Sequence, residues 1–232
     1  MDGQSFRSCL TRGEKTALLL YLPVHLFLLP TLLEIPLRRG SIDGNQANFL
    51  CYAVGAAFML LFLRAFLRRD FDPLCERPLY NAAVVFAYYL ILSACNLLLA
   101  LLLSKLTGEQ NPNNAAIIGL AQNDSRAVRT VAVLLAPITE ELLFRAGIFG
   151  SIRERNRTAA YVVSILAFSL CHVWQFILID VRYLVFIVQY LPVSFLLCRC
   201  YERTESIWCP IAFHSLVNAL SLRALRAAAL IG

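Results

Sequence analysis

The sequence predicts an all-α, polytopic membrane bundle, and three observations carry that prediction. Fifty-nine per cent of the 232 residues are hydrophobic, with a mean hydropathy of +0.66. Charged residues make up 16%, against roughly a quarter in soluble domains. The apolar residues also gather into seven runs of about the twenty residues a membrane helix needs.

In chain order these runs lie near 15–36, 47–67, 80–104, 128–150, 158–178, 182–201 and 206–228. The first is too long for the core of a secretory signal and lacks a small-residue cleavage site after it, so it reads as a retained helix. Pro23 and Pro30 are expected to kink it. The second and third are uninterrupted apolar helices. Thr107–Ser125 then forms the longest polar break, expected as a loop with a short interfacial piece around Ala115–Leu120. In the fourth run Pro137 is expected to bend the helix one turn before Glu140 and Glu141, freeing a backbone carbonyl close to them. The fifth run holds His172, and the seventh holds His214 and Asn218. Internal repeats and low-complexity runs are absent from the sequence.

The formal charge of +6 comes from basic residues that mostly flank the apolar runs. That placement fits lipid headgroups and topology rather than nucleic acid, for which no basic tract with interleaved aromatics exists. Counting Arg and Lys over alternate connections favours a cytoplasmic N-terminus for this integral, multi-pass chain. The eight cysteines are scattered without metal-binding or redox spacing and read as small apolar residues. The end of the sequence carries no lipidation box.

The informative residues are the polar ones at membrane depth. Ionised side chains there cost roughly 2.5–3.5 kcal/mol each on insertion scales, yet the fourth run keeps Glu140, Glu141 and Arg145. Glu141 and Arg145 stand four apart, one helical turn, with the acid on the favourable N-terminal side. Glu140 lies about 100° further round the helix, so one glutamate is available for structure and the other for chemistry. Phe168 and His172 share a helix face, as do His214 and Asn218. Taken singly, a membrane histidine is commonly a packing residue, and a Glu–Arg pair commonly structural. The joint set of EExxxR, FxxxH and HxxxN on three helices is hard to explain by packing alone.

Those motifs, Glu140-Glu141-Leu-Leu-Phe-Arg145, Phe168-Ser-Leu-Cys-His172 and His214-Ser-Leu-Val-Asn218, resemble the CAAX protease and bacteriocin-processing (CPBP, or Abi) family of intramembrane endopeptidases. That family includes the Ras-converting CAAX endoproteases. The resemblance covers about Val128–Leu222, and the earlier helices share only their apolar character. It implies a single membrane domain over 1–232, with a catalytic core at 127–222 and N-terminal helices at 1–126. It also implies hydrolysis of a membrane-associated or lipidated peptide or protein.

On the residues, Glu140 and His172 are expected to orient and deprotonate a water. A carboxylate in a low-dielectric cavity is a stronger base than one in water. His214 and Asn218 are expected to hold the oxyanion, a role the resemblance also implies. Glu141, Arg145 and Phe168 would support the cavity wall. Cys171 points about 100° away from its neighbour His172, which argues against a Cys–His nucleophile built from those two and leaves a partnership with His214 open. No cofactor is favoured. A zinc version would use Glu140, His172 and His214, but Asn218 beside His214 suits an oxyanion donor better than a zinc ligand. The expected location is the cytoplasmic membrane of a prokaryote. Two rivals remain at this stage, a proton-coupled transporter and a non-catalytic bacteriocin-immunity protein.

Overall fold

A computed structural model describes residues 6, 8–107, 111–123 and 125–231. Helices and turns account for almost all of them, and no strand occurs among the described residues. In chain order the helices are α1 (Arg12–Arg38), α2 (Gly44–Phe62), α3 (Arg64–Arg69), α4 (Asp72–Glu76) and α5 (Pro78–Thr107). These are followed by α6 (Pro112–Asn123), α7 (residues 125–153), α8 (Arg157–Cys171), α9 (Trp174–Ile177), α10 (Val181–Thr204) and α11 (Trp208–Ile231).

Local chemistry sets several of the boundaries. Thr11 with Glu14, and Asp43 with Gln46, form reciprocal capping boxes that start α1 and α2. Asn156 caps α8 by accepting from the Ala159 backbone N–H at 2.9 Å. The prolines act as the sequence predicts, by removing N–H donors from the α ladder. Between Pro23 and Pro30 the chain adopts an i→i+5 turn over Val24–Leu28. A second such turn, Val131–Leu135, precedes Pro137.

Arg12–Arg38, Gly44–Phe62, Pro78–Leu103 and Val181–Thr204 are long and apolar enough to cross a membrane. Leu90, Leu97, Leu98 and Leu101 stay exposed along α5, as expected for a helix solvated by lipid. The other expected segments are helical but differ in kind. α7 is the central helix, buried at every residue from 139 to 150. The run expected over 158–178 stops at Cys171, turns at His172 and Val173, and resumes as the short α9. The run expected from 182 begins as a 3-10 stretch, Val181–Gln189, before turning α-helical at Tyr190. The interfacial piece expected around Ala115–Leu120 lies within α6.

The core surrounds α7. Phe144 meets Phe168 of α8 edge-on at 5.4 Å, and Phe149 meets Tyr161 at 5.1 Å. Close approach depends on glycine at Gly55, where a Cβ would lie 2.8 Å from Thr139 Cγ2 and 3.0 Å from His25 Cε1. That contact brings α1, α2 and α7 together one residue from Glu140.

One end of the bundle is tied by ions. The Glu202 carboxylate receives Arg153 Nε at 2.5 Å, Arg157 Nε at 2.8 Å, Arg199 Nη1 at 2.5 Å and Tyr161 Oη at 2.7 Å. Lys15 reaches Glu154 at 2.6 Å, and Arg69 reaches Glu14 at 2.7 Å. The start of α1, α3, the end of α7, the start of α8 and the end of α10 are therefore collected on one side. Near α11, Asp70 accepts from the Ile207 backbone N–H, and Ser206 Oγ donates to the Asp70 carbonyl at 2.7 Å. Burial pushes the Asp70 carboxyl up to about 7 from 3.8.

Two outcomes follow. Gly55→Ala should lower thermal stability in detergent by about 1–3 kcal/mol through overpacking against Thr139 and His25, read as a drop in unfolding temperature. For Asp70, the folded state holds its proton more tightly than the unfolded one, so its contribution is full below about pH 4 and is lost as pH rises to about 7. At about 1.4 kcal/mol per unit this amounts to a few kcal/mol. Asp70→Asn should flatten the stability profile between those pH values, and an unchanged profile would contradict the assignment.

Candidate functional site

Pro137 sets the geometry of α7 at the site. In the i→i+5 turn the Ala136 N–H bonds back to the Val131 carbonyl. The next carbonyl, Ala132 O, would need residue 137 as its donor, and proline has none. Asn218 Nδ2 of α11 supplies it instead, at 2.7 Å. Thr139 Oγ1 donates to Leu135 O at 2.9 Å. The carbonyl freed at the proline is thus bound by a residue the sequence singles out for chemistry.

The two glutamates part company at once. Glu140 faces a cavity, where Tyr52 Oη of α2 donates to its Oε1 at 2.8 Å. Its Oε2 is buried without a hydrogen bond and lies 3.9 Å from His172 Nε2. Glu141 turns to the other side, where its Oε1 accepts from His214 Nδ1 at 2.7 Å and its Oε2 lies 3.1 Å from Arg145 Nε. Glu141 and Arg145 are wholly inaccessible. The expected Glu141–Arg145 pair is present, and its carboxylate orients His214, on a different helix from Glu140.

His172 caps the C-terminus of α8, where the turn leaves its ring free to be aimed. Its Nδ1 donates to Phe168 O at 2.8 Å, which turns Nε2 toward Glu140. The ring stacks on Tyr190 at 4.6 Å and packs against Phe168 at 4.4 Å. Cys171 Sγ lies 3.8 Å from His172 Nδ1, the nitrogen already committed to Phe168. Phe168 is the hub of this wall. The Arg145 guanidinium lies over its ring at 4.1 Å, and His214 meets it edge-on at 6.0 Å. Arg145 Nη2 also donates to Ser194 Oγ of α10 at 3.2 Å.

Glu140, His172, His214 and Asn218 all line one cavity of about 910 Å³. Its wall continues to Asn111, Asn114 and Gln175. α8 starts at the Arg-rich end and carries His172 at its other end, so the cavity extends away from Arg153, Arg157 and Arg199. Among the described residues, no group of three or more His, Cys, Asp or Glu side chains is placed to hold a metal ion.

Sequence reasoning missed Tyr52 and gave His25 no role. His25 is buried with Nδ1 unpartnered, and its ring meets Tyr52 at 5.3 Å. Both lie on the N-terminal helices, where no motif marks them. The one available signal was Asn48 and Tyr52 standing four apart in an apolar run, polar groups sharing a helix face.

Comparison with known proteins bears on this same region. Residues 123–220 match the family described as type II CAAX prenyl endopeptidase Rce1-like. The chain is 30% identical over 112 residues, 48% of its length, to "Putative membrane peptidase YdiL" of Bacillus subtilis strain 168. It is 32% identical over 88 residues, 37% of its length, to "UPF0177 protein YxdF" of Lactococcus lactis subsp. lactis strain IL1403. In each case the match covers 42% of the relative, so the chain spans about two-fifths of the length of these proteins. No solved structure matches. The matched stretch contains Glu140, Glu141, Arg145, Phe168, His172, His214 and Asn218 with the geometry above, so over residues 123–220 the chain is similar to the type II CAAX prenyl endopeptidase Rce1-like family.

Proposed function

We propose that the protein is an intramembrane endopeptidase that hydrolyses a peptide bond of a membrane-associated peptide or protein without a metal. The observation that carries this reading is the pairing of a hydrogen-bond-free Glu140 oxygen with His172 Nε2 across 3.9 Å. A water about 2.8 Å from each would direct one hydrogen to Glu140 Oε2 and the other to His172 Nε2, with a lone pair left for the carbonyl carbon.

Attack transfers one water proton to Glu140 and places negative charge on the former carbonyl oxygen. His214 and Asn218 supply donors for that oxyanion. Glu141 holds the His214 ring through Nδ1, which leaves Nε2 as the nitrogen that faces the oxyanion. Asn218 has a second N–H beyond the one bound to Ala132 O. Collapse breaks the C–N bond, and the proton held by Glu140 passes to the leaving amine. Tyr52 fixes the Glu140 carboxylate on its other oxygen, and Arg145 holds Glu141 in place.

We place the chain as a multi-pass protein of a prokaryotic cytoplasmic membrane, N-terminus cytoplasmic. The gathering of Lys15, Arg69, Arg153, Arg157 and Arg199 at one end supports that orientation, and the bacterial relatives support the source. Its substrates are peptides or proteins held at the membrane, in keeping with the family that residues 123–220 match.

The deciding experiment is cleavage of a pooled peptide library by purified protein in proteoliposomes, wild type beside Glu140→Ala. Cleavage should disappear in the variant and should persist in the wild type with a chelator present; retention by Glu140→Ala would refute the base assignment, and zinc-restorable loss would refute the metal-free one. Glu141→Gln should lower kcat by about 10²–10³ with KM little changed, the size seen for losing an oxyanion donor. An effect confined to KM would contradict the role of Glu141 in holding His214.

A further inference from the structure

One hydrogen bond does not fix the plane of the His172 ring. The torsion that turns a histidine ring about its Cβ–Cγ bond is broad, so the bond from Nδ1 to Phe168 O still allows the ring to tilt. Two aromatic rings remove that freedom. Phe168 packs against the imidazole at 4.4 Å, and Tyr190 of α10 stacks on it at 4.6 Å with 27° between the planes. Phe168 is itself buried in the core beneath Arg145. Tyr190 stands where α10 changes from a 3-10 stretch to an α-helix, and its ring is tethered from another element.

That tether comes from the start of α6. Asn111 is 5% exposed and directly precedes the helix. Its Oδ1 accepts from the Asn113 backbone N–H at 2.9 Å, and its backbone carbonyl accepts from the Ala115 N–H at 3.1 Å. This is the geometry of a helix N-cap followed by proline, and it holds the amide in one orientation. Nδ2 then donates to Gln189 Oε1 and, at 3.1 Å, to Tyr190 Oη. Capping needs only Oδ1, whereas both Nδ2 bonds reach across to α10. Asn111 lies before the residues 123–220 that match the family, and Tyr190 connects it to His172.

We propose that Asn111 is a positioning residue for His172: by holding the Tyr190 hydroxyl it keeps the Tyr190 ring flat against the imidazole and so keeps Nε2 turned toward Glu140. This rests on the reading of Glu140 and His172 as the pair that activates water, and it adds α6 to the elements that build that pair.

The test separates the tether from the cap. Serine caps a helix as well as asparagine does but is too short to reach Tyr190, so Asn111→Ser keeps the cap and cuts the tether. Tyr190→Phe keeps the ring and loses the hydroxyl. In proteoliposomes, with a library peptide that the wild type cleaves, each variant should lower kcat about three- to tenfold with KM little changed. The double variant should be no slower than the slower single one, because both changes break the same bond. Unchanged kcat in both variants, an effect confined to KM, or fully additive losses would overturn the proposal. A second readout needs no cleavage, since the chain has only three histidines, at 25, 172 and 214. Nuclear magnetic resonance of isotopically labelled histidine in nanodiscs, with His172 assigned through His172→Gln, should show its Nδ1–H tautomer in the wild type. Both variants should mix in the Nε2–H tautomer at His172 and leave the His214 signal unmoved. An unchanged His172 signal, or an equal disturbance of His214, would overturn the proposal even where kcat falls. The predicted change at His172 in a protein without Glu140-dependent cleavage would support the positioning role and overturn the hydrolytic reading alone.

Discussion

A bilayer offers no water to a buried charge, and the Arg145–Glu141–His214 cluster meets that constraint inside the protein. Glu141 and Arg145 have no accessible surface, so every unit of their charge is balanced by neighbours. Removing one partner from such a buried pair typically costs ~3–5 kcal/mol, because the other is left uncompensated. The cluster therefore fixes the relative placement of four helices. Glu141 and Arg145 come from α7, Ser194 from α10, Phe168 from α8 and His214 from α11.

That cluster does not use up Glu140. Adjacent residues on a helix point about 100° apart, so one carboxylate enters the charge cluster while the next enters the cavity. Glu140 then needs only enough support to stay in place, and Tyr52 gives it one hydrogen bond. His172 is aimed by a bond to a carbonyl of its own helix. Each of the two side chains is thus held through its other end, which leaves Glu140 Oε2 and His172 Nε2 facing each other.

Backbone irregularity contributes as much as side chains. Pro137 deprives Ala132 O of a donor, and Asn218 restores it, which ties α11 to α7 beside the cavity. Non-helical or widened backbone at membrane depth is tolerated where protein or a polar cavity satisfies it. Gly55 permits the close contact of α2 with Thr139 that brings Tyr52 within reach of Glu140.

The sequence alone determined the all-α membrane class and the identity of the polar residues at depth, because hydropathy over twenty residues and the cost of buried charge are both local quantities. Helical spacing also determined that Glu141 pairs with Arg145 and that Phe168 packs on His172, contacts one turn apart. Tertiary structure decided which helix each charge serves. That Glu141 orients His214, 73 positions away, and that Asn218 answers Pro137 follow from how helices cross, which no periodicity encodes. Tyr52 and His25 entered the site by the same route. The early end of α8 at Cys171 was also hidden, because Val173–Leu178 is as apolar as the helix before it and only packing aims His172 through a turn. Local pattern chose the groups, and the demand that every buried polar group find a partner across helices chose the site.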